Sequence, residues 1–273
     1  MKSHAMILPD GRTLAWREIG QGPVLVLVHG WAISGLAFAE LAEQLKGQFR
    51  LLLPDLTGHG NSSSSRDVSL RTLAQDLRDW LTVVAPGPIC LGGWSLGGMV
   101  AMQMASESCA DLSGLILIGT SPRFTSSTDW SHGLPATQVR ALRRNLLRRF
   151  DATLADFFRL TFAGEEIAEQ RVATIRRFAL YPGELVDPQV ASTLLEVLEH
   201  QDQRTLLKNL TLPALVIHGE QDQVTPLAAG EWFGSQLPEV KREVIPGAGH
   251  APFWSRPQQV AMMIAEAAAT WSR

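Results

Sequence analysis

Six short runs with the character of buried strands recur along the chain, and they restrict its fold more than any other feature. They lie at 24–28, 50–53, 88–91, 115–118, 215–218 and 242–245. Near-continuous apolar runs of this kind are typical of strands that are covered on both faces. Helical patterns separate them, at 36–45, 70–83, 96–106, 227–236 and 257–271. This alternation predicts an α/β fold with right-handed crossovers and a mostly parallel sheet.

Two segments depart from the alternation. Near the start, runs at 5–8 and 14–19 flank a Pro-Asp-Gly-Arg turn, which predicts an antiparallel N-terminal hairpin at one edge of the sheet. From about 122 to 210 there are helical patterns but no convincing strand. We therefore predict a core made of residues 1–121 and 211–273. Residues 122–210 would form an inserted helical cap over the carboxyl edge of the sheet, where ligands bind in such folds.

A G-x-S-x-G motif occupies residues 93–97, between the third parallel strand and a helix. In that setting the serine sits on a strained turn with its side chain exposed, and the glycines let the strand and helix backbones approach closely. The motif therefore points to Ser95 as a nucleophile. Because a bare G-x-S-x-G occurs often by chance, the prediction depends on finding a base and an acid elsewhere.

Both partners follow later strands. His250 lies among small residues after the last strand, and Asp222 lies in the polar loop after the strand before it. Ser95, Asp222 and His250 then occur in the chain order that a serine, its orienting acid and its base have on such a sheet. Glu220 and, more remotely, Asp129 are alternatives to Asp222. A core histidine without a catalytic role is the alternative for His250.

Two backbone amides are predicted to bind the oxyanion of the tetrahedral intermediate. They belong to Leu96, which follows the nucleophile, and to Trp31, in the loop after the first parallel strand. We interpret His29 as a structural brace of that loop, with a catalytic role as the alternative. Asp55 and His59 most simply hold a turn by local hydrogen bonds, although a second acid/base pair is the alternative.

Together these residues predict a serine hydrolase that forms an acyl-enzyme and acts on an ester. Ser95 would attack the ester carbonyl, and water would then release the acid. This chemistry requires no metal and no cofactor. Because the motif holds a serine and not an aspartate, the alkyl-enzyme route of dehalogenases and epoxide hydrolases is disfavoured.

Composition adds exclusions. The net charge of −3 disfavours a general nucleic-acid binder, and the absence of 18 consecutive apolar residues disfavours a membrane span. The first residues contain no apolar stretch of signal-peptide length. We expect no disulfide between Cys90 and Cys109, and such a small cysteine count fits a reducing compartment. These features predict a cytoplasmic protein, which we expect to be a monomer.

The motifs described so far resemble those of the α/β-hydrolase superfamily over nearly the whole chain, which implies an α/β-hydrolase fold. Residues 29–31, 93–98 and 249–253 are most similar to the motifs of the carboxylesterase family of biotin synthesis that demethylates pimeloyl-acyl-carrier-protein methyl ester. The resemblance implies substrate contacts for Trp31, Ser95, Leu96 and His250. A general short-chain esterase, or a related C–C or lactone hydrolase of the superfamily, is the alternative. A non-catalytic small-molecule receptor is a further one.

The cap segment Phe-Phe-Arg-Leu-Thr at 157–161 resembles the segment that lines the acyl channel in that family. The resemblance implies substrate contacts for Phe157, Phe158 and Thr161. The family commonly has a glutamine where Thr161 stands, so this chain departs from the pattern at the segment's polar end.

Arginines are concentrated in the cap. Arg140, Arg143, Arg144 and Arg148 share one face of a predicted helix whose residues 140–149 include no acid, and a second cluster contains Arg176. Arginine favours bidentate contacts with phosphate and carboxylate groups. An acidic acyl carrier protein with a phosphopantetheine arm is therefore a candidate partner, and a solvated helix face is the alternative.

Overall fold

Eight strands form one sheet in the computed structural model, which describes residues 1–107, 111–180 and 186–271. In chain order they are β1 (Lys2–Ile7), β2 (Thr13–Ile19), β3 (Val24–Val28), β4 (Arg50–Pro54), β5 (Ile89–Trp94), β6 (Leu112–Ile118), β7 (Ala214–Gly219) and β8 (Val240–Ile245). Their order across the sheet is β1-β2-β4-β3-β5-β6-β7-β8. Strands β3 to β8 pair in parallel, whereas β1 pairs antiparallel with β2 and β2 antiparallel with β4. The predicted mostly parallel sheet with an N-terminal hairpin at one edge is confirmed.

The helices of the described residues fill most of the connections between strands. They are α1 (Ala39–Leu45), α2 (Leu70–Val84), α3 (Leu96–Ser106), α4 (Ala136–Arg148), α5 (Phe150–Leu160), α6 (Glu169–Ala179), α7 (Pro188–His200), α8 (Leu227–Trp232), α9 (Pro252–Ser255) and α10 (Pro257–Trp271). Helices α3 and α10 begin and end at the predicted residues. The helices predicted at 36–45 and 227–236 are each divided, because Gly35–Phe38 and Phe233–Ser235 form tighter 3-10 turns at their ends.

The central strands are buried on both faces because helices cover both. Val26 and Val28 of β3 pack in the cluster that contains residues of α2 and α3. Leu25 and Leu27 point the other way, into the cluster that contains residues of α1 and α10. This alternation of side chains explains why β3 consists entirely of apolar residues.

Helices α4 to α7 follow β6 and precede β7. Within 122–180 and 186–210 the described residues form isolated bridges but contribute no strand to the sheet. Helix α7 begins sharply because the Asp187 carboxylate accepts the amides of Gln189 and Val190, with Pro188 at the first helical position. The segment is helical, as expected, and its division from the core at 122 and 210 stays a prediction.

Cys90 is buried on β5, and burial raises the pKa of its thiol. Cys109 lies outside the described residues, so the expected absence of a disulfide stays a prediction. None of the helices in the described ranges combines the length and the apolar character that crossing a bilayer requires.

Candidate active site

Ser95 lies on the turn between β5 and α3 with a φ of 55°, in the left-handed region that residues with a side chain rarely adopt. Neighbouring strand ends hold this strained turn. The Ser95 amide donates to Ile118 O of β6 at 2.9 Å. Its carbonyl accepts from Thr120 Oγ1 at 2.7 Å. The chain is thus fixed in the conformation that places the residue at the carboxyl edge of the sheet.

The glycines beside Ser95 are required by close backbone contacts. A Cβ on Gly93 would overlap the backbone of Gly97, and a Cβ on Gly97 would overlap the carbonyl of Val28 on β3. The strand, turn and helix therefore approach one another as the G-x-S-x-G motif predicts.

His250 and Asp222 meet at the same edge, beyond β8 and β7. His250 Nδ1 lies 2.8 Å from Asp222 Oδ2, and both side chains are almost completely buried. Asp222 Oδ1 accepts the amides of Val224 at 2.8 Å and Thr225 at 2.7 Å. His250 Nε2 is also buried, and it has no partner within the described ranges. This nitrogen is therefore the one available to accept a proton from a hydroxyl group.

The charge of Asp222 selects the tautomer of the neutral His250 ring. Burial by itself would raise the pKa of Asp222, but the contacts with His250 and His218 outweigh it and hold the pKa below its usual value. The ionised carboxylate accepts a hydrogen bond from Nδ1–H of His250. Nε2 is then the unprotonated nitrogen, as a general base requires.

The other acids considered as partners of His250 are engaged elsewhere. Glu220 accepts the amide of Gly247 at 3.0 Å. Asp129 pairs with Arg204 at 2.6 Å. Of the three candidate acids, only Asp222 contacts His250 in the described structure.

The histidine loop is tied to the serine turn and to the cap. Trp94 directly precedes Ser95 in sequence. Its Nε1 donates to His250 O at 2.8 Å, and the rings of Trp94 and His250 lie 5.3 Å apart. The His250 amide donates to Thr161 O, at the end of α5, at 2.9 Å. The structure thus brings Ser95, Asp222 and His250 to one edge of the sheet, with the end of α5 bonded to the histidine loop.

The two amides predicted to bind an oxyanion have no acceptor within the described ranges. Leu96 begins α3, where the first amides of a helix lack partners inside it. Trp31 lies in the loop after β3. The next residue, Ala32, has a φ of 58°, and its amide lies 3.3 Å from His59 Nε2. Binding of an oxyanion by Leu96 and Trp31 stays a prediction.

His29 and His59 have structural contacts, as interpreted from the sequence. His29 Nε2 accepts the Leu56 amide at 2.9 Å, and Nδ1 lies 2.8 Å from Gly30 O. Burial penalises a charged ring and lowers the pKa of His29 to about 4. Burial, together with the charge of His29, lowers the pKa of His59 to about 3. Both rings are therefore neutral at pH 7 and brace the two loops.

The same shifts predict loss of stability in mild acid. In the unfolded chain both rings regain the usual pKa of 6.5, so the unfolded state binds more protons than the folded state below that pH. The free energy of unfolding should be constant above about pH 6.5 and decrease as the pH falls toward 4. Each ring contributes a loss of about 2–3 kcal/mol by pH 4.5. Urea unfolding of the wild type and of His59→Gln across this pH range measures the free energy of unfolding. In the variant this free energy should decrease less steeply as the pH falls. Equal slopes would contradict the assignment to His59.

Asp55 holds its turn through the Asn61 amide at 3.1 Å, which is the local bond expected. It also pairs with Arg17 of β2 at 2.9 Å and accepts the Gly35 amide at 2.8 Å. The sequence interpretation missed Arg17. A buried charge requires a partner, so an arginine directly after the apolar run Leu14-Ala15-Trp16 of β2 was the available signal.

A small apolar cavity of about 20 Å³, room for about one water molecule, lies between the core and the cap. It is lined by Trp31, Ala32, Ile33, Trp94, Leu154, Phe157, Phe158, Thr161, Leu180 and Trp254. The predicted substrate residues Trp31, Phe157, Phe158 and Thr161 are thus brought together. Ser95, Leu96 and His250 are not among its lining residues in the described chain, although Trp94 adjoins Ser95.

Trp31 and Thr161 connect this cavity to the cap. Trp31 Nε1 donates to Ala191 O of α7 at 2.9 Å, and its ring meets Phe157 edge-on at 4.9 Å. Thr161 Oγ1 donates to Phe158 O within α5 at 2.7 Å. The hydroxyl of Thr161 is therefore already bonded, while its carbonyl positions His250.

The arginines predicted to dock a partner fall into two groups. Arg140 pairs with Glu199 at 2.7 Å and Arg143 with Glu196 at 2.8 Å, both on α7. Arg144 and Arg148 on α4 and Arg176 on α6 are exposed, and they form no ion pair within the described ranges.

Residues 25–262 match the profile of the alpha/beta hydrolase family. The chain is similar to a pimeloyl-[acyl-carrier protein] methyl ester esterase of Chromobacterium violaceum, with 35% identity over 91% of this chain and 95% of that protein. It is similar to the protein of the same name from Nitrosomonas europaea, with 34% identity over 88% of this chain and 93% of that protein. Among solved structures, an esterase from Exiguobacterium antarcticum superposes with a TM-score of 0.89 over 98% of this chain and 99% of that one. At 22% identity this last likeness shows the fold alone.

Proposed function

The chain belongs to the α/β-hydrolase family, and on that premise we propose that it is a serine carboxylesterase that demethylates pimeloyl-acyl-carrier-protein methyl ester in biotin synthesis. The observation that carries the proposal is the buried Asp222–His250 pair, tied through Trp94 to the Ser95 turn. The names of the relatives support the substrate. We keep the cytoplasm as the proposed location.

In the proposed reaction Ser95 Oγ attacks the ester carbonyl carbon while His250 Nε2 takes the hydroxyl proton. The amides of Leu96 and Trp31 donate to the oxyanion that forms. His250 then protonates the departing methoxide, so that methanol leaves and an acyl-Ser95 remains. A water molecule attacks this acyl-enzyme while His250 takes its proton, and the bond between the acyl carbon and Ser95 Oγ then breaks. His250 returns the proton to Ser95 Oγ, and the free acid leaves and ionises to the carboxylate. Asp222 keeps the histidine oriented throughout.

We assign the acyl chain to the apolar cavity beneath α5. A pimeloyl chain is far larger than the single water molecule for which the cavity has room. Side chains of the cap such as Phe157 must therefore move when substrate enters. The bond from Trp31 to Ala191 and its edge-on contact with Phe157 are the contacts that this movement would change.

We propose that the carrier protein docks on the exposed face of α4. Arg144 and Arg148 flank Leu147, which is 70% exposed. Because Arg140 and Arg143 have acidic partners on α7, the unpaired positive charge of this face belongs to Arg144 and Arg148. An acidic partner with an apolar contact point matches such a surface.

The test compares turnover of pimeloyl-carrier methyl ester and of a free short-chain methyl ester by the wild type and by Arg144→Glu/Arg148→Glu. The wild type should hydrolyse the carrier-bound ester. Because the reversed charges repel an acidic partner, the variant should raise KM for that substrate by about 10-fold at low salt, with kcat unchanged. Added salt should reduce the difference because it screens exposed charges.

Arg66→Glu/Arg71→Glu is the matched control, since it reverses two exposed charges outside the cap. It should leave both substrates unaffected, and the α4 variant should leave the free ester unaffected. A general short-chain esterase would give a different result. It would hydrolyse the free ester fast, would not prefer the carrier-bound ester, and would be unaffected by either pair of charge reversals. Failure of Ser95 to react with a fluorophosphonate would favour the non-catalytic receptor.

A further inference from the structure

We propose that His218 is a positioning residue for the Asp222–His250 pair, an inference that rests on the proposed serine esterase function. His218 lies near the carboxyl end of β7, and its side chain is almost completely buried. Its Nε2 lies 2.7 Å from Thr225 O and 3.3 Å from Asp222 Oδ2. The same carboxylate oxygen lies 2.8 Å from His250 Nδ1. Asp222 Oδ2 therefore faces two imidazole rings, of which only one belongs to the predicted catalytic residues.

The contacts define the tautomer of His218. Thr225 O and Asp222 Oδ2 can only accept hydrogen bonds, so Nε2 must carry the proton that it shares with them. His218 Nδ1 is buried and has no partner within the described ranges, and it lies against Gly230, where an added Cβ would overlap the ring. A proton on Nδ1 would be a buried donor without an acceptor, which is costly. The contacts therefore select the tautomer of His218 that carries its proton on Nε2, directed at the loop that holds Asp222.

This N–H fixes the loop that contains Asp222. Thr225 donates its amide to Asp222 Oδ1 at 2.7 Å and accepts the His218 bond at its carbonyl. One imidazole thus anchors both the backbone of the loop and the second oxygen of the carboxylate to β7. Two amides fix Oδ1, and His218 lies beside Oδ2. These contacts hold the carboxylate in one orientation, in which Oδ2 is directed at His250. The role of His218 is to maintain this orientation.

The test replaces the donor and measures activation of the serine. His218→Leu removes the donor at the Nε2 position. His218→Asn removes it as well, because the asparagine side chain is too short to place its amide there. His218→Gln keeps an N–H at that position. The readouts are the rate of Ser95 labelling by a fluorophosphonate, and kcat and KM for a free methyl ester. We expect the Leu and Asn variants to lower the labelling rate and kcat about 10- to 100-fold. KM should stay within about twofold. His218→Gln should recover most of the rate.

Leu215→Val is the control for a purely structural effect. Leu215 is buried in β7 on the opposite face from His218, so this variant should lower the unfolding temperature and label at the wild-type rate. Labelling of folded His218→Leu or His218→Asn at the wild-type rate would overturn the inference. A folded His218→Gln that is no faster than His218→Asn would overturn it as well.

The outcome also separates this inference from the proposed function. Fluorophosphonate labelling does not depend on the natural acyl group, so a wrong substrate assignment leaves the test intact. A wild-type protein that does not label at Ser95 counts against the esterase function. A wild-type protein that labels, with donor-free variants that label equally fast, counts against the role of His218 alone.

Discussion

Ser95→Ala is expected to abolish ester hydrolysis, with a loss in kcat on the order of 10⁶-fold, and to leave the protein folded. The loss follows because no acyl-enzyme can form without the hydroxyl. The fold should persist because the hydrogen bonds that hold the turn use the backbone of residue 95, through Ile118 O and Thr120 Oγ1. Alanine has the same Cβ as serine and meets the same strain at a φ of 55°. Kinetics on the methyl ester and the thermal unfolding temperature measure the two effects.

Ser106→Ala provides the matched control. Ser106 ends the same helix, and its hydroxyl donates only to Gln103 O in the described structure. This variant should keep full activity and full fluorophosphonate labelling, whereas Ser95→Ala should lose both. Residual turnover by Ser95→Ala above about 1% of wild type would show that another nucleophile contributes.

The fold and the positions of Ser95, Asp222 and His250 could be predicted because each depends on a local pattern. Apolar runs define the central buried strands, whereas the run at 242–245 forms the edge strand β8, in which only Ile245 is buried. Polar residues directly after parallel strands must lie at one edge of the sheet. Chain order then assigned the roles. The alternative acid Glu220 was only two residues from Asp222 in sequence, and the structure separates them because just one of them contacts His250.

Contacts that depend on packing between distant elements could not be predicted. His218 is a strand residue in sequence, and its contact with Asp222 depends on how the loop after β7 folds back. The arginine face of α4 was predicted from helical periodicity, but the pairing of Arg140 and Arg143 depends on how α4 packs against α7. Periodicity shows which residues share a face and does not show what covers that face.

The cap and the histidine are connected by backbone groups, which no residue pattern reveals. His250 donates its amide to Thr161 O, so movement of α5 changes the environment of the proposed base directly. Trp31 Nε1 donates to Ala191 O of α7. Movement of α5 and α7 would therefore affect His250 and the loop that contains Trp31 together.

Asp222→Asn is expected to lower kcat by about 10⁴-fold with a small change in KM. The amide is nearly the same size as the carboxylate, and its oxygen can still accept the amides of Val224 and Thr225. Its NH₂ group would then face His250 Nδ1. Since an NH₂ group donates, His250 would turn to the tautomer with a proton on Nε2 and could not take the proton of Ser95. The neutral amide would also no longer stabilise the imidazolium that forms during the reaction.

Glu220→Gln is the control that distinguishes the two neighbouring acids. Glu220 accepts the Gly247 amide on the exposed side of the loop, and the glutamine oxygen can accept the same bond. This variant should therefore keep kcat within about twofold of wild type. If Glu220→Gln were the more damaging change, or if folded Asp222→Asn kept more than about a tenth of the wild-type kcat, the assignment of Asp222 as the orienting acid would be wrong. In that case the 2.8 Å contact between Asp222 and His250 would be structural only.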